Sequence, residues 1–397
     1  MTAPAPVLVD AERAPARAAL HPAPMTLRVV TGIQNGMAYS MEAYAGAIDA
    51  ALRRWRIPHR AVTCRLPGRR RGSMTARVWT LAAWRYVIYP LRAMLDRGRG
   101  VRLVLDHANA HVGWVGGPGP RVVVVHDVFS MTPPETIGGS AGVIGRLRFL
   151  LSRAFKAPAL RSATALVAVS EATRQRLIEV VGVDPVRVSV ARPGVDTEVF
   201  RPGDRVAARR ALGLDLDVPI VLNVAGLERR KREDLLIACV ARLRAHGVPA
   251  RLVCVGRRAT TATRRALAAH GLGDVTRFVG EVGRDDLVRY YQAADVLAHP
   301  TSAEGSSLVA LEAMAVGCPV VTSRLPALAD LCGDAAVLVT PGDVDGFAAA
   351  LQSVVSDPER ARALRRAGAA VVTRAPWSQW AAAVLAACPN VIGVWEG

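Results

Sequence analysis

Two glutamates eight positions apart, Glu304 and Glu312, bracket the most chemically loaded stretch of this chain: Pro300-Thr-Ser-Ala-Glu304-Gly305-Ser306-Ser307-Leu308-Val-Ala-Leu-Glu312-Ala-Met-Ala-Val-Gly317-Cys-Pro319. The apolar run ending at His299 reads as a strand, and the segment from Ser307 onward reads as a helix, so Gly305 turns one into the other. A helix entered this way presents unpaired amides, here of Ser306, Ser307 and Leu308, and a positive dipole end, which suit a diphosphate. At 1.5 Å per residue Glu312 lies about 12 Å further along the axis. One carboxylate can therefore address a sugar while the other meets a ribose. A second cluster is cationic: Arg230-Lys231 follows Asn223-Val-Ala-Gly226 at the end of another apolar run. Only two of the 51 basic residues are lysines, Lys156 and Lys231. In an arginine-dominated chain this favours a compact ammonium at position 231.

The elements that must position these residues alternate short β-branched runs with longer amphipathic stretches, the pattern of a parallel sheet wrapped by helices. Strands are expected at 27–31, 61–64, 101–106, 121–126, 165–169 and 186–190, and again at 220–224, 252–255, 276–279, 296–299, 320–322 and 336–339. Between the two sets, Arg192-Pro193-Gly194 and Arg201-Pro202-Gly203 punctuate the chain and mark a linker. The expected organisation is a disordered tail over 1–25, a first domain over 26–195, a second over 203–376, and a C-terminal helix over 377–397 that crosses back to the first. Both domains are doubly wound, with a cleft at the carboxyl ends of the two sheets. Gly36, in the loop that follows the first strand, would pass beneath a diphosphate.

The 304–319 stretch resembles the E-x7-E motif of the retaining GT-B glycosyltransferases, the group 1 or family 4 type. The run from Asn223 through Lys231 resembles that family's strand, glycine turn and R-K segment. Arg121-Val-Val-Val-Val-His126-Asp127 resembles its buried strand ending at the cleft. The resemblance extends over roughly 26–385 and is loosest between Val62 and Arg102. Here E-G-Ser306-Ser307-L replaces the common E-G-F-G-L, and serines still permit a tight helix entry. The resemblance implies two Rossmann-like domains and transfer of a hexosyl group from a UDP- or GDP-sugar to an alcohol, with retention of configuration. It assigns Lys231, assisted by Arg230, to the diphosphate in place of a metal, since a fixed cation stabilises the charge of the departing phosphate. Glu304 falls to the donor sugar, Glu312 to ribose, His126 to the junction of sugar and acceptor, and Asp127 to the acceptor side. No cofactor beyond the nucleotide-sugar substrate is implied. A GT-B epimerase or phosphorylase shares the same cleft.

A chain of 397 residues, 51% of them hydrophobic, can bury two cores. The six cysteines show no C-x-x-C spacing and are expected as free thiols in a reducing cytosol. The net charge of +18 is uneven: about 27 basic face about 13 acidic residues up to position 200, and about 24 face about 20 beyond it. A basic first half suits phosphorylated substrates or anionic lipid, and a basic nucleic-acid or membrane-binding protein is the non-enzymatic rival. Val78–Leu95 is an apolar helix candidate in which Trp79, Trp84, Tyr86 and Tyr89 stand among arginines. It suits either a membrane interface or burial against the sheet. The expected location is the cytoplasm, peripheral to the inner membrane face, with a lipid-linked, glycan or natural-product acceptor.

Overall fold

The computed structural model describes residues 26–34, 39–65, 83–95, 100–114, 118–133 and 142–389. Runs rich in Val, Leu and Ile can bury both faces only between helical layers, and twelve such runs form two parallel six-stranded sheets. The first sheet contains β1 (Leu27–Gln34), β2 (His59–Arg65), β3 (Val101–Val104), β4 (Arg121–Val125), β5 (Ala165–Ala168) and β6 (Val188–Val190). Its helices are α1 (Tyr39–Arg54), α2 (Tyr89–Leu95, entered through a π-helical turn at Trp84–Ile88), α3 (Val143–Arg161) and α4 (Glu171–Arg176), with a 3₁₀ segment at His107–Trp114.

The second sheet contains β7 (Ile220–Val224), β8 (Arg251–Val255), β9 (Thr276–Gly280), β10 (Val296–His299), β11 (Val320–Ser323) and β12 (Ala336–Val339). Around it lie α5 (Arg205–Leu212), α6 (Glu233–Ala245), α7 (Thr261–Ala269), α8 (Arg284–Ala293), α9 (Leu308–Val316), α10 (Pro326–Cys332), α11 (Val344–Val355) and α12 (Pro358–Thr373). A last helix, α13 (Trp377–Ala386), follows.

All twelve expected strands form, and their ends move for local reasons. β3 stops at Val104 because the Asp106 carboxylate accepts from the Ala108 amide at 2.8 Å and from Asn109 Nδ2 at 2.9 Å, which turns the chain. β6 starts at Val188 because Asp184 caps a 3₁₀ turn over Pro185–Arg187. β1 runs on to Gln34 with a register shift between Val30 and Ile33.

Strand order decides where a site can form. In the second sheet, β12-β11-β10-β7-β8-β9, the winding reverses between β7 and β10. The loops leaving those two neighbours, 225–232 and 300–307, therefore meet at the carboxyl edge, where open α/β sheets bind ligands. The first sheet, β2-β1-β3-β4-β5-β6, reverses between β1 and β3. Gly36, which follows β1, lies outside the described residues.

The chain returns to the first sheet at its end. Val195 N donates to Ala375 O at 3.0 Å, and a Cβ on Gly194 would stand 2.4 Å from Trp377 N, so glycine is required where the two segments touch. α13 then packs on α1, with the Trp377 and Trp380 rings each 5.1 Å from Tyr44. Trp380 is fully buried among residues of β1, β3 and β4. Burying a side chain of that size is worth roughly 2–3 kcal/mol.

Of the two readings of Val78–Leu95, the described aromatics take the one of burial against the sheet. Trp79 lies outside the described residues; Tyr89 is fully buried and donates to Thr31 O at 2.6 Å and Val62 O at 2.9 Å. Trp84 and Tyr86 are half-buried, so the described aromatics turn inward, while Val87, Leu91, Met94 and Leu95 face out.

Candidate active site

Glu304 leaves β10 through Pro300–Ala303 and is met by the turn after β7. Lys231 Nζ donates to Glu304 Oε1 at 2.6 Å, and Arg230 NH1 lies 3.0 Å from Oε2. Thr301 Oγ1 also reaches Oε1 at 3.0 Å, and His299 Nε2 stands 3.4 Å away, at the limit of a hydrogen bond. Two further bonds fasten the turns: Ser302 N donates to Arg230 O at 2.8 Å, and the Arg230 side chain donates through NH1 to Ala303 O at 3.0 Å. Arg232, just past Lys231, takes a left-handed conformation (φ 46°). A non-glycine residue held there costs energy that its surroundings must repay. The Glu304 side chain is only 6% exposed. Burial alone would raise its pKa, but Lys231, His299 and Arg230 outweigh that and hold it well below the usual carboxylate range. Arg230 also pairs with Glu228, on the exposed side of the turn, at 2.5 Å, so each of the two cations is matched by a carboxylate.

α9 starts where the sequence places it. Ser307 is the N-cap, its hydroxyl accepting from Ala310 N at 3.2 Å, and Gly317 closes the helix in a left-handed conformation. Gly305 is buried against the first half of the chain: a Cβ there would stand 1.8 Å from His126 O. The Gly305 carbonyl accepts from Ser170 Oγ at 2.6 Å and from Thr173 Oγ1 at 3.3 Å. Ser170 also N-caps α4, accepting from Thr173 N at 3.1 Å. The turn that presents the α9 amides is thus held by a helix N-terminus of the other half.

The His126 ring points into its own sheet. Nε2 donates to Leu105 O at 2.7 Å, the ring sits edge-on to Tyr44 at 4.3 Å, and Nδ1 is buried without a partner among the described residues. Burial lowers its pKa, although the Leu105 bond and the nearby aspartates oppose this. Asp127 accepts from Phe129 N at 3.0 Å and lies 3.6 Å from His107 Nε2. The Arg230 guanidinium stacks 5.5 Å from the Phe129 ring. His107 was not foreseen. Its Nδ1 accepts the His126 amide at 3.4 Å, and burial lowers its pKa to about 4, despite Asp127 and Asp106. The available signal was Asp106-His107 at the end of β3, beside His126-Asp127 at the end of the neighbouring β4.

Glu312 on α9 is buried, and Tyr291 on α8 donates to its Oε2 at 2.9 Å. Burial raises its pKa to about 8, against the opposing effects of Tyr291 and Arg284. Tyr39, at the start of α1, lies near Arg284, and Arg284 pairs with Asp196 at 2.7 Å. Tyr39, Thr173, His299 and Thr301 also stand at the candidate site and were not singled out, because each lies in a local pattern shared with ordinary scaffold; Ser170 was expected only as a helix N-cap, and it is one.

Two doubly wound parallel domains with a cation–carboxylate cluster at a switch point define a GT-B glycosyltransferase fold. The model of Glycosyl transferases group 1 matches residues 204–371, and that of Glycosyltransferase Family 4 matches residues 41–199. The chain belongs to this glycosyltransferase family. It is 35% identical to the D-inositol 3-phosphate glycosyltransferase of Kribbella flavida over 57% of each protein, and 32% identical to that of Saccharomonospora viridis over 70% of this chain and 67% of the relative. It thus spans little more than half the length of the first of these. The solved structure of Anabaena HepE in complex with UDP-glucose is similar in fold, with TM-score 0.68 at 18% identity, over 91% of this chain and 98% of that one.

Proposed function

We propose that this glycosyltransferase moves a hexosyl group from a UDP- or GDP-hexose to an alcohol, with retention of configuration and without a metal ion. The observation that carries the reading is the Lys231–Glu304–Arg230 cluster beside the N-terminus of α9, which offers cations and amides where a diphosphate would lie. In the proposed reaction the bond from the anomeric carbon to the β-phosphate oxygen breaks and a bond to the acceptor oxygen forms on the same face. The acceptor proton passes to the departing phosphate, so no separate carboxylate base is needed. Lys231 and the amides of Ser306 to Leu308 stabilise the phosphate charge as it grows. Glu304 fixes Lys231 and Arg230 and faces the donor sugar, and Glu312 meets the ribose. His126 and Asp127 stand on the sugar and acceptor side. The UDP-glucose held by the Anabaena protein favours a uridine diphosphate donor.

Thermal shift with UDP, GDP, ADP and TDP tests the donor assignment. Ligand at about 100 Kd stabilises by about 2.7 kcal/mol, a shift of several degrees. The expected result is a clear rise with UDP or GDP that Lys231→Ala diminishes. No rise with any nucleoside diphosphate would refute the reading.

A further inference from the structure

Nine of the large apolar side chains exposed on this protein lie on three neighbouring elements of the first half. α2 and its entry turn expose Val87, Leu91, Met94 and Leu95; the 3₁₀ segment exposes Trp114; α3 exposes Leu147, Leu150, Leu151 and Phe155. Their spacing is that of a single stripe on each helix, with the opposite stripes (Tyr89 and Ala93, then Ser152, Lys156, Ala159 and Leu160) buried. The elements are continuous in space. Tyr86 stacks on His111 at 5.1 Å and meets Phe155 at 5.6 Å, and Trp114 Nε1 donates to Ser162 Oγ at 3.0 Å. Exposure is substantial, 86% at Leu95, 58% at Leu150 and 55% at Leu91.

Charge identifies the occupant. The residues of all three elements, 84–95, 107–114 and 143–161, include no aspartate or glutamate, while Arg92, Arg146 and Arg153 are exposed among the aliphatics. An aliphatic stripe flanked by arginine and free of acid matches a bilayer with anionic headgroups: the stripe enters the acyl boundary and the guanidinium groups meet phosphate. We infer that α2, the 3₁₀ segment and α3 form one docking face for an anionic membrane surface.

The inner side of this face leads to the cleft. Lys156 on α3 donates to Ser130 Oγ at 3.0 Å, three residues past Asp127, and the 3₁₀ segment begins at His107. Docking places the acceptor side of the cleft at the lipid surface; this step rests on the transfer reading above, and it assigns a lipid-anchored alcohol as acceptor.

Co-sedimentation with vesicles tests the face. Wild-type protein is expected to bind vesicles containing about one-third phosphatidylglycerol and to bind pure phosphatidylcholine at least about tenfold less. Raising salt from about 0.1 M to about 0.5 M should release it several-fold. Leu147→Glu/Leu150→Glu and Leu91→Glu/Leu95→Glu should each lower the bound-to-free ratio at least about tenfold while the UDP thermal shift is unchanged. That shift reads the donor site separately, so a lost membrane face and a wrong donor assignment are told apart. No binding to anionic vesicles would overturn the inference, as would binding that both double variants retain. A soluble dimer dispersed by the same substitutions would also overturn it, by assigning the face to a second copy.

Discussion

Glu304 and Glu312 occur eight positions apart in one motif, and their surroundings give them opposite electrostatic states. Glu304 is buried against two cations and stays ionised; removing one partner of such a cluster typically costs 3–5 kcal/mol, because a buried charge is left uncompensated. Glu312 has a phenol and a more distant guanidinium for company, and its pKa rises to about 8. Raised above the ordinary carboxylate value, it contributes stability that is fully present below about pH 4.5 and lost as pH rises through about 8. Glu304 works in the reverse sense, its contribution lost only in acid. The free protein should therefore melt at a lower temperature at about pH 9 than at about pH 6, and Glu312→Gln should flatten that slope. Melting curves of both proteins across this range check it; an unchanged slope in the variant would mean that another group titrates.

Among the elements, the turn from β10 into α9 links the two halves. Its glycine was legible in the sequence as a helix entry, and the structure adds that Gly305 lies against His126 O and that Ser170 and Thr173 hold its carbonyl. Gly305→Ala and Thr173→Val probe this contact differently: the first forces the halves apart, and the second removes one hydroxyl while leaving the Ser170 cap in place. If closure across this contact aligns donor and acceptor, Gly305→Ala should lower turnover by about 10² or more with UDP affinity changed only a few-fold, and Thr173→Val should follow in the same direction more weakly. Turnover and UDP titration of each variant give the comparison. Parallel loss of both quantities would make the contact a support of the donor site alone.

At the scale of the whole molecule, much was readable because parallel strands buried on both faces leave near-continuous apolar runs, as β4 and β7 do, and all twelve strands were foreseen. Strand order was not, since the switch between β7 and β10 comes from pairings far apart in sequence. Lys231 and Glu304 could be nominated one by one from residue type and family wording, but their 2.6 Å contact depends on that order. His107 and Tyr39 were not singled out for the same reason: their significance lies in what another part of the chain brings to them. For the aromatic helix two readings stood open, an interface and burial against the sheet, because composition does not say which stripe meets the sheet.

In the proposed reaction the fixed cation of this cleft, Lys231, supplies the charge that a metal ion would otherwise provide during departure of the nucleoside diphosphate. The most direct measurement is release of nucleoside diphosphate from a UDP- or GDP-hexose in EDTA, by wild type, Lys231→Ala and Lys231→Arg, each confirmed folded. Full wild-type turnover is expected in EDTA, with a loss on the order of 10²–10³ in kcat for Lys231→Ala. Lys231→Arg should be nearly as impaired, because a planar guanidinium does not reproduce a compact ammonium at this point. Wild-type turnover abolished by EDTA and restored by Mg²⁺, or near-normal turnover by Lys231→Ala, would contradict it.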